Sequence, residues 1–191
     1  MVKRLWQTVV RAKISRQADL LCELNRNDFG LHSLEAKVFS GDPQNIEARA
    51  AVIYWKHLFC SPFTRDRSAH DSNLLLNYGY AVLRAMTARA CCAAGLHPTI
   101  GINHHNRYDP FCLADDLMEP FRPVVDRIVR KLNPENLEIS ELDQASRKEI
   151  LSALLDKIQT ASGKWTLTDL LRISAEQIAK SFQSGEVAIK Y

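Results

Sequence analysis

Asp71-Ser72-Asn73-Leu-Leu-Leu-Asn77-Tyr78-Gly79-Tyr-Ala-Val-Leu-Arg84-Ala-Met-Thr-Ala-Arg89-Ala-Cys91-Cys92-Ala-Ala94-Gly95 is the longest apolar stretch of the chain, and its reading decides the fold. Leu and Ala dominate it, Asp71 is placed to cap its start, and Gly95 follows its end as a C-terminal glycine should. The expectation is a long buried central helix over residues 72–94. Asn77, Tyr78 and Arg84 lie inside it and need hydrogen-bonding partners, either in the core or at a site the helix supports. Gly79 in mid-helix costs about 1 kcal/mol relative to Ala, which points to close helix packing. Cys91 and Cys92 sit in the Ala-rich end, where free cysteine packs as a small apolar residue.

On both sides of this stretch the pattern is helix after helix. From Lys3 to about Asn25 the apolar residues Leu5, Val9, Ala12, Ile14, Ala18, Leu21 and Leu24 recur near helical spacing. A short helix through Leu34 and Val38 stops at Ser40-Gly41-Asp42. Asp42-Pro43 reads as an N-cap with proline at the first helical position, opening a third helix over about 43–59 with Glu47 near its start. After His97-Pro98 a loop runs through Gly101, and a helix resumes near Leu113, with Pro120 and Pro123 starting or kinking a segment. Ser140 to Thr160 and Thr168 to Phe182 read as two further amphipathic helices, followed by a short Val187-Ala188-Ile189 tail. The fold class expected is all-α, in one domain of 191 residues, long enough to bury a core without staples.

Apolar residues make up 46% and charged residues 25%, as in an ordinary soluble globule, and no apolar run nears the roughly 20 residues of a membrane span. The start lacks an apolar signal core. Five cysteines without any Cys-x-x-Cys pair point to a reducing, cytoplasmic setting and away from structural zinc or disulfides. The formal charge of +3 is uneven: residues 1–132 hold 18 Lys and Arg against 13 Asp and Glu, whereas 133–191 hold 7 against 9. Any contact with nucleic acid belongs to the first part, although basic residues more often form a solvated face.

The chemistry lies in two carboxylates and an imidazole from separate segments: Glu47, His104 and Glu119. If the chain is helical from Leu113, Asp116 and Glu119 are three residues apart on one face and can reach one cleft with His104. Like charges held together resist joint ionisation unless a cation neutralises them. An oxygen-rich site with one nitrogen suits magnesium or manganese, whereas zinc recruits more His or Cys. Such an ion activates an oxygen nucleophile and stabilises charge on a phosphate, which fits DNA strand transfer, DNA hydrolysis or turnover of small phosphate esters. Each residue also has a plain reading. Glu47 in a first helical turn is where the helix dipole favours a solvated carboxylate. His104, beside His105 and Asn106, suits a polar loop, and Asp115 and Asp116 compete with Glu119.

The segment Gly101-Ile-Asn-His104-His-Asn-Arg-Tyr-Asp-Pro-Phe-Cys-Leu-Ala-Asp-Asp116-Leu-Met-Glu119-Pro-Phe-Arg122-Pro resembles the integrase of CRISPR spacer acquisition, the Cas-one family, in its type II branch. Ile46-Glu47-Ala-Arg-Ala-Ala51-Val-Ile-Tyr-Trp55, Asn73-Leu-Leu-Leu-Asn77-Tyr-Gly-Tyr-Ala-Val-Leu-Arg84 and Ala94-Gly-Leu-His97-Pro extend the likeness over nearly the whole chain. The resemblance implies that Glu47, His104 and Glu119 are the catalytic metal ligands, with Asp116 auxiliary, and that the metal is Mg2+ or Mn2+. It favours His104 over His105, because His104 holds the position after Gly101-Ile-Asn. It implies a metal-dependent DNA nuclease and integrase that joins the 3′-hydroxyl of a captured DNA fragment to a repeat phosphate by transesterification. The implied partners are DNA (prespacer fragment and CRISPR repeat), a second copy in a homodimer, and the small second CRISPR-associated subunit.

Arg49, Arg84, Arg89 and Arg122 lie near the motif residues and Arg65 to Arg67, with His70, in a polar loop; these are candidate DNA contacts, each also suited to a surface or structural ion pair. Family members carry an N-terminal β-rich domain before the helical catalytic one, and nothing here reads as that domain, since Lys3 already enters the first helix. The expectation is the C-terminal catalytic lobe alone. The alternative is a DNA-binding and assembly module that does not turn over without the missing lobe.

Overall fold

The computed structural model describes residues 1–160 and 163–191. The helices are α1 (Val2–Asn25), α2 (Leu31–Glu35), α3 (Ile46–Leu58), α4 (Ser72–Ala93), α5 (Cys112–Met118), α6 (Arg122–Leu132), α7 (Gln144–Leu155) and α8 (Leu167–Ser184), with a 3-10 turn over Glu119–Phe121. The fold is helical, as expected. A hairpin of β1 (Lys157–Thr160) and β2 (Gly163–Thr166) is its one sheet among the described residues, antiparallel with Ile158 opposite Trp165. All five cysteines are free thiols.

Helix α4 is the hub. It packs against α5, α6, α7 and α8, while α1 lies across α2, α3, α6 and the 3-10 turn. Asp71 caps α4 as the sequence suggests, accepting the Asn73 N–H at 2.8 Å, and Gly95 follows its end at φ +74°, a left-handed conformation that suits glycine. The expected close packing occurs at Gly79, where an added Cβ would overlap Val125 Cγ1 of α6.

Several boundaries differ from the sequence reading, beginning with α2, which ends at Glu35 and leaves Val38 outside the helix. Helix α3 begins at Ile46 rather than Pro43, because Asp42 and Asn45 take positive φ and delay the first helical turn. Asp42 still caps it, accepting the N–H groups of Ile46 and Glu47, each at 2.9 Å. The helix expected over 140–160 runs only from Gln144 to Leu155, and Lys157–Thr160 turns into the hairpin. The 187–191 tail is irregular: Ala188 N–H donates to Ser181 Oγ and Ile189 is buried. Pro120 and Pro123 act as expected, the first inside the 3-10 turn and the second at the start of α6.

Candidate active site

Three segments bring the site together. The face of α3 formed by Ile46, Ala50, Tyr54 and Leu58 is buried, and α3 packs on α1, which holds Glu47 in the first turn beside the first helix. Glu119 opens the 3-10 turn and is almost fully buried. Between them stands Lys13 of α1, its ammonium 2.6 Å from Glu47 Oε1 and 2.7 Å from Glu119 Oε2. Arg122 Nη2 pairs with the other Glu119 oxygen at 2.8 Å. Burial alone would push the Glu119 carboxyl up, but Lys13 and then Arg122 overcome it and hold it below the usual carboxylate range. Burial would likewise lower the Lys13 ammonium, and the two carboxylates raise it instead.

His104 sits on the loop that Asp116 organises. The Asp116 carboxylate is fully buried, and accepts the N–H groups of Ile102, Asn103 (2.8 Å) and His104 (3.2 Å). Its Oδ1 also lies 2.6 Å from His104 Nδ1. With Nδ1 donating to this carboxylate, the neutral form of the ring keeps its lone pair on Nε2. This bond, with help from Glu119, raises the imidazole above its ordinary value against the effect of burial. Trp6 of α1 meets the ring edge-on, centroids 6.0 Å apart.

The helix that was to place Asp116 and Glu119 on one face ends at Met118, so the two carboxylates serve different partners. Glu119 faces Lys13 and Arg122, whereas both oxygens of Asp116, the expected auxiliary ligand, are taken up by loop and imidazole donors. That arrangement is one of orientation, of the kind that fixes the tautomer of a metal-binding histidine. Among the described residues no three His, Cys, Asp or Glu side chains stand at ligand spacing around one point. The ammonium of Lys13 occupies the position between the carboxylates. The site nevertheless fits a cation: it already binds one, and Glu119 Oε2 is buried with no aligned hydrogen-bond donor among the described residues.

A cleft of about 550 Å3 opens beside His104, lined by Arg65, Arg67, Arg84 and Arg122 among others. Arg65 donates to Asn73 Oδ1 and Asn77 Oδ1, both at 2.7 Å, and lies over Tyr80, as does Arg122 at 4.7 Å. Asn77 thus supports the cleft wall rather than the core. Arg84 is neutralised by Asp109 and Asp115 and stacks on Phe111, a structural role. Arg67 is exposed at the mouth, and Arg49 and Arg89 are exposed but do not line the cleft.

Lys13 and a buried network under the cleft are what the sequence reading missed. Lys13 has a signal, a cation among the inward-facing residues Val9, Val10, Ile14 and Gln17, where an unpaired charge would be costly. In the network, Tyr54 OH donates to Asp126 Oδ2 at 2.6 Å and Tyr80 OH to Oδ1. Burial pushes the Asp126 carboxyl up to about 6 despite the two tyrosine bonds and the nearby Arg122. Because the folded value lies above the free value of 3.8, the folded state holds the extra proton, so stability falls as pH rises from about 4 to about 6 and is level above. At about 1.4 kcal/mol per pH unit the loss is about 3 kcal/mol. Asp126→Asn, which can still bond both tyrosines, is expected to flatten that slope in urea unfolding at pH 4, 5, 6 and 7; an unchanged slope would assign it to other groups.

The fold and site define a helical lobe with a carboxylate pair, a carboxylate-held histidine and an arginine-lined cleft. The chain belongs to the Cas1 family: the family model described as CRISPR associated protein Cas1 matches residues 3–160. It is 37% identical over 186 residues to the CRISPR-associated endonuclease Cas1 of Neisseria meningitidis serogroup C (strain 8013), covering 96% of this chain and 59% of that relative's length. A Cas1 protein from Thermotoga maritima superposes with a TM-score of 0.80 at 20% identity, covering 98% of this chain and 67% of the other. A casposase bound to integration product gives 0.77 at 21%, covering 97% and 62%. A Cas6-RT-Cas1–Cas2 complex gives 0.79 at 19%, covering 98% and 24%. At such identities these three speak for the fold alone. No helix is long and apolar enough to cross a membrane among the described residues.

Proposed function

We propose that this chain is the helical catalytic part of a metal-dependent DNA endonuclease and integrase of CRISPR adaptation, with Glu47, His104 and Glu119 holding Mg2+ or Mn2+. The observation that carries the reading is the convergence of Glu47 and Glu119 on one cationic point, near a histidine whose Nδ1 is held by Asp116 and which itself lines the arginine-rich cleft. A bound divalent ion would activate an attacking hydroxyl and offset charge on the phosphate during in-line displacement. Glu47, Glu119 and His104 would hold the ion, the carboxylates through oxygen and the imidazole through nitrogen. Asp116 keeps the imidazole in its tautomer and orientation. Arg65, Arg67 and Arg122 face the cleft and suit the phosphates of a DNA strand. In strand transfer the 3′-oxygen of a captured fragment forms a bond to a repeat phosphorus as the repeat's own 3′-oxygen leaves. One phosphodiester replaces another, and no outside energy source is needed; with water as attacker the same site cleaves.

The 37% identical relative named as an endonuclease supports nuclease chemistry. DNA and the small second subunit are proposed as partners by analogy with the structural neighbours, a casposase bound to integration product and a Cas6-RT-Cas1–Cas2 complex. We also assign a homodimer and a cytoplasmic location. The test is processing of a branched DNA that mimics the integration product, with manganese, with chelator, and with Glu119→Gln. Metal-dependent product that vanishes in the variant supports the reading. No product from the 191-residue chain would overturn its independent catalysis and leave a DNA-binding and assembly module, in keeping with a chain that spans 59% of its Neisseria relative.

Arg67 supplies a separate check. Arg67→Ala is expected to weaken DNA binding about equally across sequences and to reduce the slope of log affinity against log salt by about 0.9 in fluorescence anisotropy. An unchanged slope would take Arg67 off the DNA path.

A further inference from the structure

We propose that Lys13 is a resident counter-cation of Glu47 and Glu119, that a divalent ion enters only by displacing its ammonium, and that Lys13 thereby sets the metal affinity of the site. The inference rests on the metal-site reading above. Lys13 Nζ takes one oxygen of each carboxylate, at 2.6 and 2.7 Å, and those are the oxygens an ion between Glu47 and Glu119 would need. Its side chain is only 13% exposed, on the inward face of α1, where an ammonium without carboxylate partners would be costly.

Charge decides that the two cations compete. Glu47 and Glu119 carry two negative charges, and Lys13 and Arg122 balance them. A divalent ion added to that neutral set would leave two uncompensated positive charges in a mostly buried place. With the ammonium withdrawn, ion, carboxylates and Arg122 together carry one. The four-carbon stem of lysine lets its head move while the helix stays in place. In the metal-free protein, Lys13 keeps two like charges from repelling each other; in the loaded protein, the ion takes over that task. A protein that docks its own cation binds metal more weakly than its ligands alone would dictate, and loading follows metal supply.

The experiment is isothermal titration with Mn2+ of the wild-type chain, Lys13→Met and Glu119→Gln, together with acetylation of Lys13 by acetic anhydride read by peptide mass spectrometry. Lys13→Met is expected to bind Mn2+ about tenfold tighter or more, the scale of one charge removed at close range. In wild type, saturating Mn2+ in place of chelator is expected to speed Lys13 acetylation several-fold, a readout that does not depend on the variant folding. If Glu119→Gln abolishes Mn2+ binding but Lys13→Met binds no tighter and acetylation does not change, the Lys13 inference is overturned and the metal site stands. If neither wild type nor Lys13→Met binds Mn2+ in a Glu119-dependent way, the metal-site reading itself falls, and the inference with it.

Discussion

Glu119→Gln is expected to lower manganese-dependent processing of branched DNA by about a thousandfold or more, and to destabilise the chelator-treated protein by about 3 kcal/mol. Both effects come from one side chain. In the proposed metal site, Glu119 would supply an anionic oxygen that an amide replaces poorly. As a structural group, it is a buried anion between Lys13 and Arg122, and its neutralisation leaves Arg122 without its carboxylate and Lys13 with Glu47 alone. Removing one member of a buried charge set costs several kcal/mol because the others remain desolvated. Urea unfolding in chelator reads the second effect, and DNA processing below the variant's melting range, checked by circular dichroism, reads the first. Retained processing would take Glu119 out of the catalytic site. Unchanged stability would mean that solvent or a rearranged Lys13 satisfies the freed cations.

Gly101→Ala is the second large effect, expected to cost about 3 kcal/mol and to lower DNA processing by about a hundredfold. An added Cβ would overlap the His104 carbonyl oxygen outright and lie 3.0 Å from both Asp116 Oδ2 and Cys112 Cβ. The colliding atom belongs to the backbone of the loop that carries His104, so no side-chain rotation relieves it. The loop must open, and opening it separates Ile102, Asn103 and His104 from the one carboxylate that holds them. Thermal unfolding and a DNA-processing assay with manganese check the two parts. A variant with wild-type activity would show that His104 reaches its working position without the Asp116 cradle.

Helix α4 was legible because a long Leu- and Ala-rich run, an Asp cap and a closing glycine all agree. The hairpin was not, because Lys157–Thr160 is four residues long and directly follows a helical pattern, leaving too few residues for period two to declare itself. The start of α3 shifted by three residues because Asp42 caps it by reaching forward from a positive-φ turn, a geometry its position before Pro43 does not reveal. At the site, Glu47, His104 and Glu119 were legible as residue types in a motif. The division of labour between Asp116 and Glu119 was not, since it depends on α5 giving way to a 3-10 turn between them.

The helical class, the central helix with its caps, and the inventory of two carboxylates and a histidine from three segments were written in the residue order alone. Apolar period and capping chemistry are local, so they can be read along the chain. That Lys13 bridges Glu47 and Glu119, that Asp116 is spent on the His104 loop, and that Tyr54 and Tyr80 close on Asp126 came from the packing of distant segments. Those outcomes are set by desolvation and by charges brought together from distant segments, and the energy of a charge is fixed only once its burial and its neighbours are.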